Sequence, residues 1–75
     1  SDIQRKQRKV LEFLQKKGGY IIRRKLLQAK LLDGGFKELD YVLENLEQMG
    51  KIRTDNRQSL SEMGIYLQEE EEWNR

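Results

Sequence analysis

The chain has no cysteine, no histidine and no proline. Without cysteine there is no disulfide or thiolate metal site to hold a small fold together. Without histidine the commonest metal ligand and the usual general base are missing. The 75 residues are read as one domain, 1–75, close to the lower size limit for unaided folding. A chain this short buries roughly 60% of the surface its unfolded form exposes, so an apolar core, alone or with a partner subunit, has to supply the stability. No apolar run approaches the ~20 residues of a membrane span. The N-terminal half is a charged amphipathic pattern without the apolar centre of a signal peptide. These features lead to the expectation of a soluble cytoplasmic protein that does not contact membranes. There is no internal repeat, no long linker, and no GxxxxGK[ST] or GxGxxG spacing. No nucleophile sits in a recognisable context, so neither catalysis nor a cofactor is expected.

Charge is abundant and unevenly placed. Residues 1–30 carry ten bases and two acids, a balance of +8, whereas residues 31–75 carry five bases and eleven acids, a balance of −6. This asymmetry suggests a basic surface for an anionic partner. A charge run is about as often a solvated helix face, and Arg5 to Lys9 read slightly better that way than as a DNA arm or localisation signal.

Periodicity places the elements. Residues 2–17 make a first helix, with Ile3, Val10, Leu11 and Leu14 on one stripe and Phe13 at its edge. Gly18-Gly19 end it, and Tyr20-Ile21-Ile22 is a β-prone stub. A second helix is expected over Arg24–Leu32, with Leu27, Leu31 and either Leu26 or Leu32 inward, followed by a turn at Asp33-Gly34-Gly35. The third helix spans Phe36–Met49 and turns Leu39, Val42, Leu43 and Leu46 to one side. Beyond Gly50, Lys51–Thr54 and Arg57–Leu60 read as a hairpin turning at Asp55-Asn56. Ser61 is placed to cap a last helix whose apolar side holds Tyr66, Leu67 and Trp73. Glu69–Glu72 make its end acidic, as a solvated tail or a partner of the basic first helix. The fold class expected is mainly α with a small β hairpin.

Three stretches carry a resemblance. KVLEFLQKKGGYIIRRKLLQA is similar to the first helix, short strand and second-helix entry of the winged helix-turn-helix family. LDYVLENLEQMGKI resembles its third helix, glycine stop and first wing strand. SLSEMGIYL resembles its second wing strand and the start of a following helix. The likeness covers nearly the whole chain, and small archaeal plasmid, virus and chromosomal regulators look nearest in size. It implies a three-helix core, a wing and a C-terminal helix, and a transcriptional regulator of double-stranded DNA whose third helix enters the major groove.

On that reading the outward stripe of the third helix is Lys37, Tyr41, Glu44 and Gln48. Lys37 suits phosphate or a guanine edge, Tyr41 a sugar or thymine methyl, Glu44 a cytosine amino group and Gln48 an adenine. The same helix carries Glu38, Asp40, Glu44 and Glu47 against Lys37 alone, so the attraction has to come from its flanks. Arg23, Arg24 and Lys25 open the second helix, and Lys51, Arg53, Asn56 and Arg57 lie on the wing. One such domain makes few base contacts, so a homodimer on paired half-sites is expected, with Trp73, Tyr66 and the first helix as candidate contacts. The alternative from another class is a protein-interaction winged helix within a larger replication or transcription assembly, its acidic third helix docked on a basic partner. A nonspecific architectural DNA protein would call for more net charge than +2.

Overall fold

A computed structural model of the chain describes residues 2–68. Trp73 and Glu69–Glu72, and with them the end of the expected last helix, lie outside the described residues. The elements run α1 (Asp2–Lys16), β1 (Tyr20–Ile22), α2 (Arg23–Gln28), α3 (Gly35–Gln48), β2 (Ile52–Asp55), a 3-10 turn (Leu60–Glu62) and β3 (Gly64–Leu67). The three helices pack on one face of an antiparallel sheet of order β1-β3-β2. This α+β arrangement is broadly compatible with a winged-helix topology.

The apolar periods decide the packing. Val10 and Leu14 of α1, Leu26 of α2, and Leu39, Val42, Leu43 and Leu46 of α3 meet Ile21, Ile52 and Ile65 from the three strands in one buried core. Each such side chain, fully buried, contributes about 1.5–3 kcal/mol before the cost of ordering it. The inward set of α3 is the one its period indicates. On the second helix Leu26 takes the buried place, while Leu27, Leu31 and Leu32 pack half-buried around it. The turn between α1 and β1 needs its glycines: Gly18 and Gly19 have φ of +81° and +91°, which lets the Gly19 N–H reach the Leu14 carbonyl at 2.8 Å.

The largest departure from the sequence reading lies near the C-terminus. Ser61 does not cap a helix; it sits inside the 3-10 turn, and Gly64–Leu67 is the central strand. Alternation prevails there over the cap signal. Ile65 turns inward and is fully buried, flanked by Ile21 on one side and Thr54 on the other. Gly64 disfavours a helix, and it has a positive reason to be glycine. A Cβ on it would lie 3.1 Å from Tyr20 Cε1 and 3.2 Å from Tyr66 Cε1, so the two rings close over it.

Two further boundaries move. The returning wing strand is Gly64–Leu67, not Arg57–Leu60, so residues 56–63 form the connection in place of a tight turn at Asp55-Asn56. The Asp55 carboxylate organises its start by accepting from the Arg57 backbone N–H at 3.3 Å and from its guanidinium at 2.9 and 2.7 Å. Helix α2 stops at Gln28, four residues earlier than expected. Lys30 adopts a left-handed φ of 53°, and Leu31 and Leu32 pack onto the core from irregular backbone. The described residues contain no helix long and apolar enough to cross a membrane.

Candidate nucleic-acid interface

Helix α3 presents the outward stripe that its wheel indicates. Lys37, Tyr41, Glu44 and Gln48 are all exposed, Tyr41 at 60%. Gly34 precedes the first turn of the helix, and its backbone N–H donates to Glu38 Oε1 at 2.7 Å. Glu38 also accepts from Lys6 of α1, and these two bonds, the lysine first, hold its carboxyl below the usual glutamate range. On the opposite edge Asp40 binds the Arg23 guanidinium through two bonds of 2.8 Å. Near the end Glu47 accepts from Thr54 Oγ1 at 2.9 Å.

These bonds change the electrostatic account of the helix. Counted along the chain it carries four acids and one base. In the fold, Glu38 and Asp40 are each neutralised by a cation from a neighbouring helix, and Glu47 is tied to β2. The outward stripe itself holds one cation, Lys37, and one carboxylate, Glu44, and is close to neutral, while Glu47 keeps its negative charge at the edge, because the Thr54 hydroxyl is a neutral donor.

The flanking bases divide into groups that the sequence does not separate. Arg23 is buried, with 6% of its surface exposed, and its guanidinium clamps the start of α2 to the middle of α3. It is therefore not free for phosphate, contrary to its place among the expected anchors, and the bonds it donates to Asp40 raise its pKa. Arg24 is half exposed and pairs with Glu62 of the 3-10 turn at 3.1 Å. Lys25 is exposed and, like Lys37, has no ion pair among the described residues.

Positions on the wing follow strand alternation. Ile52 turns inward and Thr54 reaches α3, so Arg53 projects from the far face of the sheet. There its guanidinium carbon sits 4.4 Å over the Tyr66 ring, which in turn lies 4.8 Å from the Tyr20 ring. Arg53 is thus not brought onto the α3 face. Tyr20, Tyr66 and Arg53 form a cross-strand row that the helical reading of Tyr66 conceals; a period of two over Gly64–Leu67 is the signal that reveals it. Lys51 is half-buried beside the end of α3, where its N–H bonds the Leu46 carbonyl at 2.9 Å. Asn56 and Arg57 stand exposed on the connection, Arg57 with 86% of its side chain accessible while paired to Asp55. That pair lowers the Asp55 pKa and raises that of Arg57.

Among the described residues, no group of three or more acidic, cysteine or histidine side chains could hold a metal ion. Comparison with family models, with curated proteins and with solved structures returns no match for this chain.

Proposed function

We propose that the protein is a winged helix-turn-helix regulator that binds double-stranded DNA sequence-specifically, with α3 in the major groove. The observation that carries this reading is the stripe of Lys37, Tyr41, Glu44 and Gln48, four exposed side chains able to read bases on a helix where Glu38 and Asp40 are paired with cations of neighbouring helices. The stripe supplies discrimination and little attraction. Phosphate contacts fall to Lys25 and Lys37, which have no carboxylate partner among the described residues, and to Arg24 and Arg57. The pairs that occupy those arginines are solvent-exposed and worth about 0–1 kcal/mol, so a phosphate can displace the carboxylate at small cost. With Lys37 on phosphate, Tyr41, Glu44 and Gln48 read one short half-site, so a second copy on a paired half-site completes the specificity.

Selection from a random duplex library at fixed salt tests this. Enrichment of one short motif, bound more tightly than its scrambled version, is the expected result. Equal affinity for motif and scrambled duplex would defeat it. A second reading then gains ground, that of a protein-interaction winged helix. It is favoured by the apolar exposure on α3, where Phe36 is 53% and Tyr41 60% accessible.

A further inference from the structure

A second surface, which shares Lys25 with the proposed phosphate contacts, carries its own chemistry. The sheet order β1-β3-β2 leaves the outer edge of β1 without a partner strand among the described residues. The Arg23 N–H donates to the Met63 carbonyl and the Leu67 N–H to the Gly19 carbonyl, both at 2.8 Å. Gly19, Ile21 and Arg23 therefore turn their backbone groups toward β3, and by alternation Tyr20 and Ile22 turn theirs toward the open edge. A concavity of about 670 Å³ runs along this edge between the end of α1 and α2. Phe13, Ile22 and Ala29 give it apolar surface, and Lys17, Lys25 and Gln28 give it a polar rim. Lys17 lies over the Phe13 ring at 5.2 Å, and neither it nor Lys25 has a carboxylate partner among the described residues. On the other side of Phe13 a neighbouring hollow adds Lys9, Lys16 and Lys30, with Glu12.

We propose that this groove takes an extended acidic peptide segment of a partner protein, added as a further strand on the free edge of β1. Three features converge on that occupant. The open edge offers main-chain donors and an acceptor that a peptide backbone matches. An added strand turns alternate side chains to one side, where the apolar floor receives them. The lysines complement carboxylates on the remaining side chains. A nucleic-acid backbone would use the lysines and leave the strand edge idle. Lysine beside an edge normally discourages strand addition, so here it selects for acidic strands and against all others. A three-residue edge supplies few hydrogen bonds, so charge and the apolar floor carry much of the affinity and binding weakens with salt. The proposal stands whether or not α3 reads DNA.

The test uses a fluorescein-labelled synthetic peptide that alternates glutamate with valine around a central phenylalanine, titrated by anisotropy into the whole chain. Saturable binding is expected, with amide shifts centred on Tyr20 and Ile22 in NMR spectra. Lys17→Glu combined with Gln28→Glu should weaken it at least about tenfold, with an unchanged unfolding transition. Equal affinity of that folded double variant would overturn the proposal. So would amide shifts confined to α3, or tighter binding of a single-stranded oligonucleotide in the same groove. If the double variant does not fold, a peptide with lysine in place of glutamate decides: loss of binding supports the groove, and equal binding overturns it.

Discussion

The outward face of α3 and the groove between α1 and α2 show how differently the same charges behave once folded. Along the sequence α3 is acidic and the first thirty residues are basic. In the structure the two surpluses partly cancel where helices meet, because Lys6 is spent on Glu38 and Arg23 on Asp40. What remains on α3 is a nearly neutral stripe suited to discrimination. What remains beside β1 is lysine without a carboxylate partner among the described residues, set on an apolar floor and suited to attraction. Charge that decides recognition is therefore the charge left after tertiary pairing, and counting along the chain does not give it.

The sharpest way to break this comparison is to treat Arg23 as a ligand contact. Its guanidinium is buried and held by two bonds to Asp40. Asp40→Ala strands that cation, and because hydrogen bonds to charged groups are worth about 1.5–3 kcal/mol, a loss of about 2 kcal/mol is expected in urea unfolding. Arg23→Ala should likewise lower the unfolding midpoint while leaving duplex affinity per folded molecule within about twofold, a change of roughly 0.4 kcal/mol. Unaltered stability with collapsed DNA affinity would return Arg23 to the proposed phosphate contacts and remove its distinction from Lys25.

The next effect lies on the stripe itself. Glu44 is its one outward carboxylate, and a good base contact is worth about 1–3 kcal/mol of discrimination. Glu44→Gln should raise affinity for scrambled duplexes by easing repulsion, and should blur preference at a single base pair. Tyr41→Ala should weaken the selected motif without lowering the unfolding midpoint, since Tyr41 lies off the core. Titrations of each variant against motif and scrambled duplexes at one salt concentration check both. If neither variant alters DNA binding while both weaken a protein partner, α3 is a docking helix.

Smaller still is the effect expected of the single proposed phosphate contacts. Lys25→Ala and Lys37→Ala should each weaken all duplexes alike. Each should also reduce the log–log salt slope by about 0.9, the share of one neutralised phosphate. Arg53→Ala provides the contrast, because its guanidinium lies over Tyr66 on the far face of the sheet. Its slope should stay at the wild-type value. A reduced slope for Arg53→Ala would place the DNA backbone across that face as well.

How much of this is legible in the sequence depends on the range of the interaction that decides each feature. Helix α3 and its inward set are readable because four apolar residues recur at helical spacing over fourteen positions. The strand at Gly64–Leu67 is not, because its alternation lasts four residues and competes with a plausible helix cap at Ser61. The early end of α2 rests on Lys30 in a left-handed conformation where a glycine or asparagine would have announced itself. Arg23, Arg24 and Lys25 are equivalent as a basic run. They are told apart only by partners far along the chain, Asp40 for the first and Glu62 for the second. The exposed stripe of α3 is therefore legible as a surface, while the pairing of the cations meant to support it is not.

The finest distinction is whether the paired acids of α3 act as structural groups, and pH reads it. The Glu38 carboxyl is held below its ordinary pKa by Lys6 and by the Gly34 N–H. A lowered folded-state value means that the unfolded chain binds the proton more readily. The stabilisation from Glu38 is therefore complete above the ordinary glutamate range and is lost as pH falls through the lowered folded value. Asp55, lowered by Arg57, adds to the same acid window. Glu38→Gln removes the first contribution at all pH values. The difference between its unfolding midpoint and that of the wild type should be greatest near neutrality and should shrink on acidification below the glutamate range. Lys6→Met should show the same convergence, because the pair is broken from the other side. Parallel pH profiles for wild type and both variants would mean that the Lys6–Glu38 pair does not stabilise the fold. Glu38 would then count again as free negative charge at the edge of α3, and the near-neutrality of its outward stripe would have to be abandoned.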